Sequence, residues 1–415
     1  MTRFSVAANF DDDLPELLAP FGAVELFGKL PRDPAGGGRA SYMLAPTSRR
    51  RLEEHVRRTH QAGLAFNYLV NPACLGNREF TRSGQRAIRK LLDWLSEIGV
   101  ERLTVSVPYL LELVKASYPH FEVKIGVFAD VDTPKKARFF EDLGADCIAL
   151  QPLIANRDFE RLRAVREAVK CDLQLIVNSN CLLECPMTPY HNVGLSHASQ
   201  TGSGRFFIDY CFLRCLASKL RDPVSYIKSP WIRPEDLYYY EEIGYSSFKI
   251  LERDAPTAAL VRRTQAYCER RFDGNLLDLV QCYGYKEARS TKQPKHARFW
   301  ELREFLKPWK VDPLRLLPLQ KLARLQGMLY ERSTGDSLLH MDNRALDGFL
   351  DRFTEETCAG RTCDNCSHCP EYARRALRID PNYRRECLEL VHELLGDLAS
   401  GRMWGRPVSA ARRPS

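Results

Sequence analysis

Short apolar runs alternate with amphipathic stretches along about the first 270 residues of the chain. The apolar runs predict strands at 22–27, 64–70, 102–107, 122–128, 147–150, 172–177 and 247–251. The amphipathic stretches predict helices at 47–61, 82–98, 109–116, 133–143, 158–169, 233–243 and 256–271. Such alternation is typical of βα units with a parallel sheet. Seven or eight strands can close a ring, so we predict an α/β fold, a TIM-like (β/α)8 barrel.

The pattern changes after about residue 280. The sequence then predicts a connector over 275–296 and helices at 297–306, 314–325, 342–356, 372–378 and 381–396, followed by a frayed basic tail at 406–415. We therefore predict two units, a barrel over residues 1–280 and a helical C-terminal region over 281–415 that carries a cysteine-rich motif.

Two cysteine pairs with the same spacing follow the predicted strand 172–177. Cys181 and Cys185 are separated by three residues, and about 25 residues later Cys211 and Cys215 repeat that gap. Loops after the strands of a parallel barrel carry its chemistry, so these thiols are expected at the barrel mouth. Two close pairs in a chain without a secretory signal favour iron-sulfur or zinc ligands over disulfides.

A second cysteine group lies near the C-terminus. Its members, in a segment that ends in Cys-Pro, are Cys358, Cys363, Cys366 and Cys369. Gaps of two residues let one tight loop point several thiolates at a single centre. An iron-sulfur cluster and a tetrahedral zinc ion both suit this spacing, and His368 could replace one cysteine.

Charged residues and histidines near these cysteines are candidates for catalysis. Lys249 lies inside the strand predicted at 247–251, and Glu252 and Arg253 follow its end, where they would face the barrel mouth or form a structural ion-pair cluster. His191 and His197 lie in the polar, turn-rich segment between the cysteine pairs. Either could bind metal, act as an acid or base, or serve only as a hydrogen-bonding group.

The chain of 415 residues has a net charge of +8, much of it from arginine pairs. A basic face could bind nucleic acid or an anionic metabolite, although arginines solvated on helix faces explain the charge equally well. No run approaches the roughly 18 apolar residues of a membrane span. The start of the chain turns acidic before a signal-peptide core could form, so we expect a cytoplasmic protein.

Several segments between about residues 15 and 275 resemble the peptidase U32 family, the collagenase-like peptidases. The best match is Ser-Phe-Lys-Ile-Leu-Glu-Arg at 247–253, with the helix that ends at 266–271, and Leu251 and Glu252 stand where the family has Glu and Gly. The cysteine pair in 210–215, the strand leading into Cys181 and the Arg-containing loop at 39–42 are also similar to the family's motifs.

The resemblance implies a barrel-like α/β fold that holds a [4Fe-4S] cluster on Cys181, Cys185, Cys211 and Cys215. Similar members take part in oxygen-independent hydroxylation in ubiquinone synthesis or hydroxylate bases of ribosomal and transfer RNA. The chain shows no nucleophile elbow, zincin pair or paired-aspartate signature of a protease. It also lacks the Cys-x3-Cys-x2-Cys arrangement of radical adenosylmethionine enzymes.

Our leading hypothesis is an iron-sulfur enzyme that modifies a small organic substrate without dioxygen, by hydroxylation or a related redox step. The C-terminal cysteine group would hold a second [4Fe-4S] cluster or zinc and serve as an electron relay or a structural staple. RNA-base hydroxylation, a U32-type peptidase and a cluster-bearing partner of another protein of the same family remain as alternatives.

Overall fold

The computed structural model describes residues 2–41, 44, 46–202, 207–280, 307–331, 338–358 and 361–405. Its centre is a closed barrel of eight parallel strands, in which each strand pairs with the next and β8 pairs with β1. The strands are β1 Arg3–Ala7, β2 Ala23–Gly28, β3 Ala65–Val70, β4 Arg102–Val105, β5 Glu122–Ile125, β6 Cys147–Ala149, β7 Asp172–Ile176 and β8 Ser247–Ile250. The TIM-like (β/α)8 barrel is confirmed.

The eighth strand is β1, at the start of the chain, which the sequence pattern did not predict. Phe4 and Val6 are buried in the large apolar core, whereas Ser5 donates a hydrogen bond to the buried carboxylate of Glu25 on β2. The alternation of apolar and polar residues over only five positions gives no continuous apolar run. This strand closes the barrel by pairing with both β2 and β8.

Helices follow the strands around the barrel. They are α1 Leu14–Leu18, α2 Arg49–Gln61, α3 Arg82–Glu97, α4 Pro108–Ser117, α5 Pro134–Asp142, α6 Pro152–Ala155, α7 Phe159–Ala168, α8 Thr188–Ala198, α9 Tyr210–Arg221, α10 Val224–Lys228, α11 Leu237–Glu242 and α12 Thr257–Glu269. The segment between the cysteine pairs, which the sequence predicts as irregular, contains helix α8. Its polar residues and Gly194 hide the helical period.

The C-terminal region adds four described helices and a small hairpin. The helices are α13 Leu317–Glu331, α14 Asp351–Glu355, α15 His368–Ala376 and α16 Pro381–Ser400, and the antiparallel strands are β9 Leu339–Met341 and β10 Leu377–Ile379. The prediction of one helix over 342–356 is wrong, because a 3-10 turn at Arg344–Leu346 separates β9 from α14. The predicted helix at 297–306 and the tail at 406–415 lie outside the described residues.

Helix α9 joins the barrel mouth to the C-terminal region. Leu213, Leu216 and Leu220 of α9 belong to one buried apolar cluster with Val391 and Leu394 of α16. Arg384 of α16 also donates hydrogen bonds to the carbonyls of Leu220 and Arg221, at the end of α9. The C-terminal region therefore packs on the helix that carries the second cysteine pair. The division into two units at residue 280 stays a prediction.

Within the described residues, no helix is both long enough and apolar enough to cross a membrane.

Candidate active site

A cavity of about 200 Å³ opens at the C-terminal ends of the barrel strands. Seven strands contribute to its wall near their ends. The residues, one for each strand from β2 to β8, are Phe27, Leu69, Thr104, Gly126, Ala149, Ile176 and Lys249, of which Gly126 directly follows β5. The wall also includes eight of the predicted site residues: Cys181, Cys185, Cys211, Cys215, His191, Lys249, Glu252 and Arg253. Residues from distant parts of the sequence thus meet at one cavity, where active sites of this barrel architecture occur.

Two local elements position the four cysteines. Cys181 and Cys185 lie in the turns between β7 and α8, whereas Cys211 and Cys215 lie one turn apart on α9 and therefore share a face of that helix. Asp209 caps α9 by accepting a hydrogen bond from the backbone N–H of Phe212. Such a cap satisfies a backbone donor that the first helical turn leaves without a partner.

Burial raises the pKa of three of these four thiols. It raises the pKa of the Cys211 thiol to about 11 and that of the Cys215 thiol to about 12, and for Cys215 the cation of Lys219 opposes the rise. Burial raises the pKa of the Cys181 thiol too, again against Lys219. Metal ligands must be deprotonated, so a cation beside these sulfurs favours the form that binds metal.

The spacing of the four cysteine sulfurs can be compared with the spacing around a single metal ion. Within the described residues, one set of at least three His, Cys, Asp or Glu side chains has all its ligand atoms within 4.8 Å of one another. It consists of His191, Asp209 and Cys211. No three of the four cysteine sulfurs are therefore that close. A tetrahedral zinc ion with Zn–S bonds of about 2.3 Å would hold them about 3.8 Å apart. A single tetrahedral ion would therefore need these sulfurs to move closer together.

His191 lies beside this thiol group. Its Nε2 is 3.0 Å from Oδ2 of Asp209, the carboxylate whose other oxygen caps α9. A carboxylate partner of this kind fixes the orientation of the imidazole ring. His191 thus stands next to Cys211 on the cavity wall, whereas His197, on the same helix, is not part of that wall.

Arg39 and Glu252 form an ion pair at the cavity, with Nη2 and Oε1 separated by 3.1 Å. Glu252 is buried and its backbone has φ of 103°, in the left-handed region that favours glycine. A glutamate held there costs backbone energy, a kind of strain that clusters at functional sites.

Glu252 also meets a second carboxyl group. Burial raises its pKa well above the usual value, and the neighbouring Asp254 raises it further, while Arg39 lowers it. Oε2 of Glu252 and Oδ1 of Asp254 are both buried without a hydrogen-bond partner. Burial and the neighbouring carboxyl group therefore both favour the protonated form of Glu252.

Two further cations border the cavity. Burial lowers the pKa of Lys249 to about 8, and its Nζ lies 4.0 Å from the centroid of the Phe27 ring. Burial likewise lowers the pKa of Arg253 to about 10, and its Nη1 is buried without a hydrogen-bond partner. Buried cations in this state favour an anionic ligand.

Sequence reasoning overlooked three polar residues near the site. Asn71 lines the cavity with a buried side-chain oxygen that has no hydrogen-bond partner. Asp209 and Lys219 flank the second cysteine pair on α9. The sequence could have indicated Asp209 and Lys219. Asp209 is a helix-cap residue just before Cys211, and Lys219 lies four residues after Cys215, on the same helix face.

The C-terminal cysteines form a separate group around the start of α15. Cys363 is exposed, whereas Cys358, Cys366 and Cys369 are half-buried. The thiols influence one another electrostatically, and Arg352 donates a hydrogen bond to Sγ of Cys366 at 3.1 Å. No three of these sulfurs lie mutually within 4.8 Å either. His368 places Nε2 2.9 Å from the carbonyl of Phe349 and stacks on that ring, so this nitrogen is engaged away from the sulfurs.

A buried arginine lies beneath this second group. Arg157 contacts the faces of Trp231, Phe349 and Phe353, and donates hydrogen bonds to the carbonyls of Ile227 and Ser229. Burial lowers its pKa to about 10, while the nearby Cys369 and Cys358 raise it. No described carboxylate forms an ion pair with Arg157, and its Nε has no hydrogen-bond partner. The chemistry of this pocket fits an anionic thiolate site.

Comparison with known proteins gives one extensive match. No family model matches the chain. The chain is 30% identical over 328 residues to the "Uncharacterized protease MJ1657" of Methanocaldococcus jannaschii, a match that covers 79% of this chain and 82% of the relative. Among solved structures, the U32 peptidase Mk0906 is 24% identical, with 62% of this chain and 94% of that chain covered and a TM-score of 0.47. Phosphoribosyl anthranilate isomerase from Thermus thermophilus is 13% identical, with 65% and 97% covered and a TM-score of 0.34. The chain belongs to the peptidase U32 family.

Proposed function

We propose that this protein is an iron-sulfur enzyme that modifies a small organic molecule without dioxygen, by hydroxylation or a related redox step. The observation that carries the proposal is the grouping of four cysteines with Lys249, Glu252 and Arg253 around one cavity of about 200 Å³. A cavity of this size suits a small molecule, and its walls combine apolar side chains with a few polar groups, as ligand sites commonly do.

Cys181, Cys185, Cys211 and Cys215 are the residues that would hold a [4Fe-4S] cluster in this cavity. When bound, such a cluster would supply one-electron redox chemistry. Lys219 adds positive charge beside Cys181 and Cys215, and its ammonium group donates hydrogen bonds of 2.6 Å to the carbonyl and side-chain oxygens of Asn180. These contacts hold the turn that carries Cys181.

The remaining polar residues suit substrate binding and proton transfer. Arg253 and Lys249 would bind a negatively charged end of the substrate, Arg253 through its forked guanidinium. Burial and the neighbouring Asp254 raise the pKa of Glu252, so Glu252 can donate a proton to, or accept one from, a group bound in the cavity. The apolar surfaces of Phe27 and Phe128 border the same space and exclude water.

We also propose that Cys358, Cys363, Cys366 and Cys369 bind metal. Support comes from the buried cation Arg157 next to them and from the hydrogen bond that Arg352 donates to Cys366. The same four thiols suit a second [4Fe-4S] cluster or a tetrahedral zinc ion.

Product analysis under strict anaerobiosis tests the proposed activity. The loaded protein is incubated in buffer with a small-molecule extract and a mild one-electron acceptor, because hydroxylation with oxygen from water releases two electrons and two protons per product. Products are measured by mass spectrometry. We expect a compound that gains the mass of one oxygen atom with the parent protein and with Cys268→Ala, which changes an exposed cysteine outside both groups. Cys181→Ala should form none. An equal yield from Cys181→Ala would contradict the proposal.

A peptidase is the second candidate, because the curated relative is named a protease and the carboxyl groups of Glu252 and Asp254 are neighbours. Aspartic proteases use such a pair. Here, however, Glu252 lines the cavity and Asp254 does not. Peptide cleavage that persists after iron is removed, and that is lost in Asp254→Asn, would favour the peptidase over the redox enzyme.

A further inference from the structure

A groove of about 710 Å³ lies on the surface of the C-terminal region and shares no lining residue with the cavity at the barrel mouth. Its wall comes from α10, α15, β10 and α16 and from residues next to them. The wall combines aliphatic side chains with three arginines, and these residues are Leu377, Ile379, Leu388, Arg374, Arg384 and Arg385. We call this surface the arginine groove.

The arginine groove carries an excess of positive charge. Within the described residues of its wall, Glu389 is the one acidic side chain. Arg384 donates its hydrogen bonds to backbone carbonyls at the end of α9, and Arg385 donates one to the side-chain oxygen of Asn382, so neither is paired with a carboxylate. Arg374 and Arg385 are exposed, and their charge is therefore available to a binding partner.

The acidic residues next to the groove are engaged elsewhere. Asp380 caps α16 by accepting a hydrogen bond from the backbone N–H of Tyr383, and Glu386 forms an ion pair of 2.7 Å with Lys321. Arg221, exposed at the end of α9, adds a further cation, because it donates a hydrogen bond to Nε2 of the wall residue His392. This charge distribution favours an acidic partner.

The side chains of the groove favour a protein over a nucleic acid as that partner. Grooves that bind single-stranded nucleic acid combine positive charge with aromatic side chains on which the bases stack. Among the described residues, the wall of the arginine groove has no Phe, Tyr or Trp. Its aliphatic side chains instead match the apolar centre of a protein interface, with the arginines as its charged part.

The groove lies directly beside the C-terminal cysteine group. Pro370, which follows Cys369 in the chain, is part of the wall. Pro370 and Arg374 lie one turn apart on α15 and share a face of that helix. Cys363 of the same group is exposed, so the cysteine group reaches the surface. A protein bound in the arginine groove would therefore lie next to the metal proposed for these cysteines.

The proposed reaction needs a route by which electrons leave the protein. Hydroxylation with oxygen from water replaces a C–H bond by a C–OH bond and releases two electrons and two protons for each product. We propose that the arginine groove docks an acidic one-electron carrier protein, which collects these electrons beside the C-terminal cysteine group. Two oxidised carriers accept one electron each, and the protons pass to the solvent. The inference rests on the proposed function, and it takes an iron-sulfur cluster rather than redox-inactive zinc as the metal of that group.

Binding of an acidic plant-type [2Fe-2S] ferredoxin to the anaerobically loaded, full-length protein tests the inference. Surface plasmon resonance measures the association rate at low and at physiological ionic strength. We expect the rate to fall with salt. It should also fall at least about tenfold in Arg374→Glu combined with Arg385→Glu, because complementary charge raises association rates about 10 to 1000-fold. Rapid mixing of reduced ferredoxin with the oxidised protein should show the same loss in the rate of electron transfer, because the reverse transfer uses the same contact surface.

Arg86→Glu combined with Lys90→Glu is the matched control, because it changes the net charge by the same amount. Both residues are exposed on α3, which follows β3, on the opposite side of the barrel from the connection between β7 and β8 that carries α9 and α10. This variant should keep the parent association rate. If circular dichroism shows that the double charge reversal in the groove fails to fold, Arg374→Gln should still lower the rate.

Equal association rates of ferredoxin with the parent and the groove variant, or no binding to the parent, would overturn the inference. Oligouridine that binds the parent but not the groove variant, with ferredoxin binding unchanged, would assign the groove to RNA instead. Zinc counted at the C-terminal group would also overturn the inference, because zinc carries no electrons. Failure of the proposed function gives a different result, in which ferredoxin binds the groove but Cys181→Ala forms as much oxygenated product as the parent.

Discussion

Arg39 and Glu252 meet at the cavity although 213 residues separate them in the sequence. Nη2 of Arg39 lies 3.1 Å from Oε1 of Glu252, and this ion pair joins the loop after β2 to the end of β8. Glu252 adopts a backbone conformation that suits glycine, so the carboxylate is kept there at the expense of backbone strain. An arrangement that is locally unfavourable yet places a charge in the cavity is typical of a functional site.

The strain at Glu252 gives a first prediction. Glu252→Ala removes the carboxylate and keeps a side chain in the left-handed region, whereas Glu252→Gly removes the carboxylate and the strain together. We expect the glycine variant to be more stable than the alanine variant by about 1 kcal/mol or more, because strained residues of this kind cost about 1 to 3 kcal/mol. Urea unfolding measures the difference. Equal unfolding midpoints would show that φ at this position carries no strain.

Asp209 provides a second prediction, because one carboxylate both caps α9 and binds His191. Asn caps helices about as well as Asp, so Asp209→Asn should unfold at nearly the parent temperature. Asp209→Ala loses the cap and should be less stable by about 1 kcal/mol. Thermal unfolding followed by circular dichroism compares the two. If both variants lose the same stability, the cap contributes little.

The lowered pKa of Glu25, inside the barrel, predicts how the stability of the protein changes in acid. Burial raises the pKa of its carboxyl, but Lys124, Ser5 and Arg102 more than offset this and lower it to about 2. Because the folded state binds this proton more weakly than the unfolded chain does, its contribution is present above about pH 4.5 and is lost as the pH falls toward 2. The loss should reach at most about 3 kcal/mol.

The measurement for Glu25 is urea unfolding of the parent and Glu25→Gln between pH 6 and pH 3, each relative to its own value at pH 6. The parent should lose more stability over this range than the variant. Glu25→Gln should also be less stable at pH 6, because it leaves Lys124 buried without its partner, whose oxygen lies 2.8 Å away. Parallel pH profiles would contradict the assignment.

The lowered pKa of Lys249 predicts how the stability of the protein changes in alkali. Burial lowers its pKa from 10.5 to about 8, so between these values the unfolded chain binds more protons than the folded protein. The free energy of unfolding should therefore rise with pH over this window, by at most about 3 kcal/mol. Lys249→Met lacks this rise and should be more stable than the parent below pH 8. A stability difference between the two proteins that is constant from pH 7 to pH 10 would contradict the low pKa.

The barrel follows from the sequence because its strands and helices are local patterns. Seven of its strands were predicted from short runs rich in apolar residues, whereas β1 was overlooked, a five-residue strand in which Ser5 turns a polar side chain toward Glu25 in the barrel interior. The cysteines of the cavity stood out through their spacing. The ion pair of Arg39 with Glu252 and the hydrogen bonds of Arg157 did not stand out, because they join residues far apart in the chain. Contacts of that kind depend on the closed fold, which no local pattern encodes.

The central claim is that Cys181, Cys185, Cys211 and Cys215 hold an iron-sulfur cluster at the barrel mouth. Iron, sulfide and zinc counted in anaerobically purified parent, Cys181→Ala and Cys268→Ala proteins test it most directly. The account predicts about four irons and four sulfides per chain that are present in the parent and in Cys268→Ala but absent from Cys181→Ala, in addition to the metal of the C-terminal group. Iron and sulfide contents of Cys181→Ala equal to those of the parent would contradict the account.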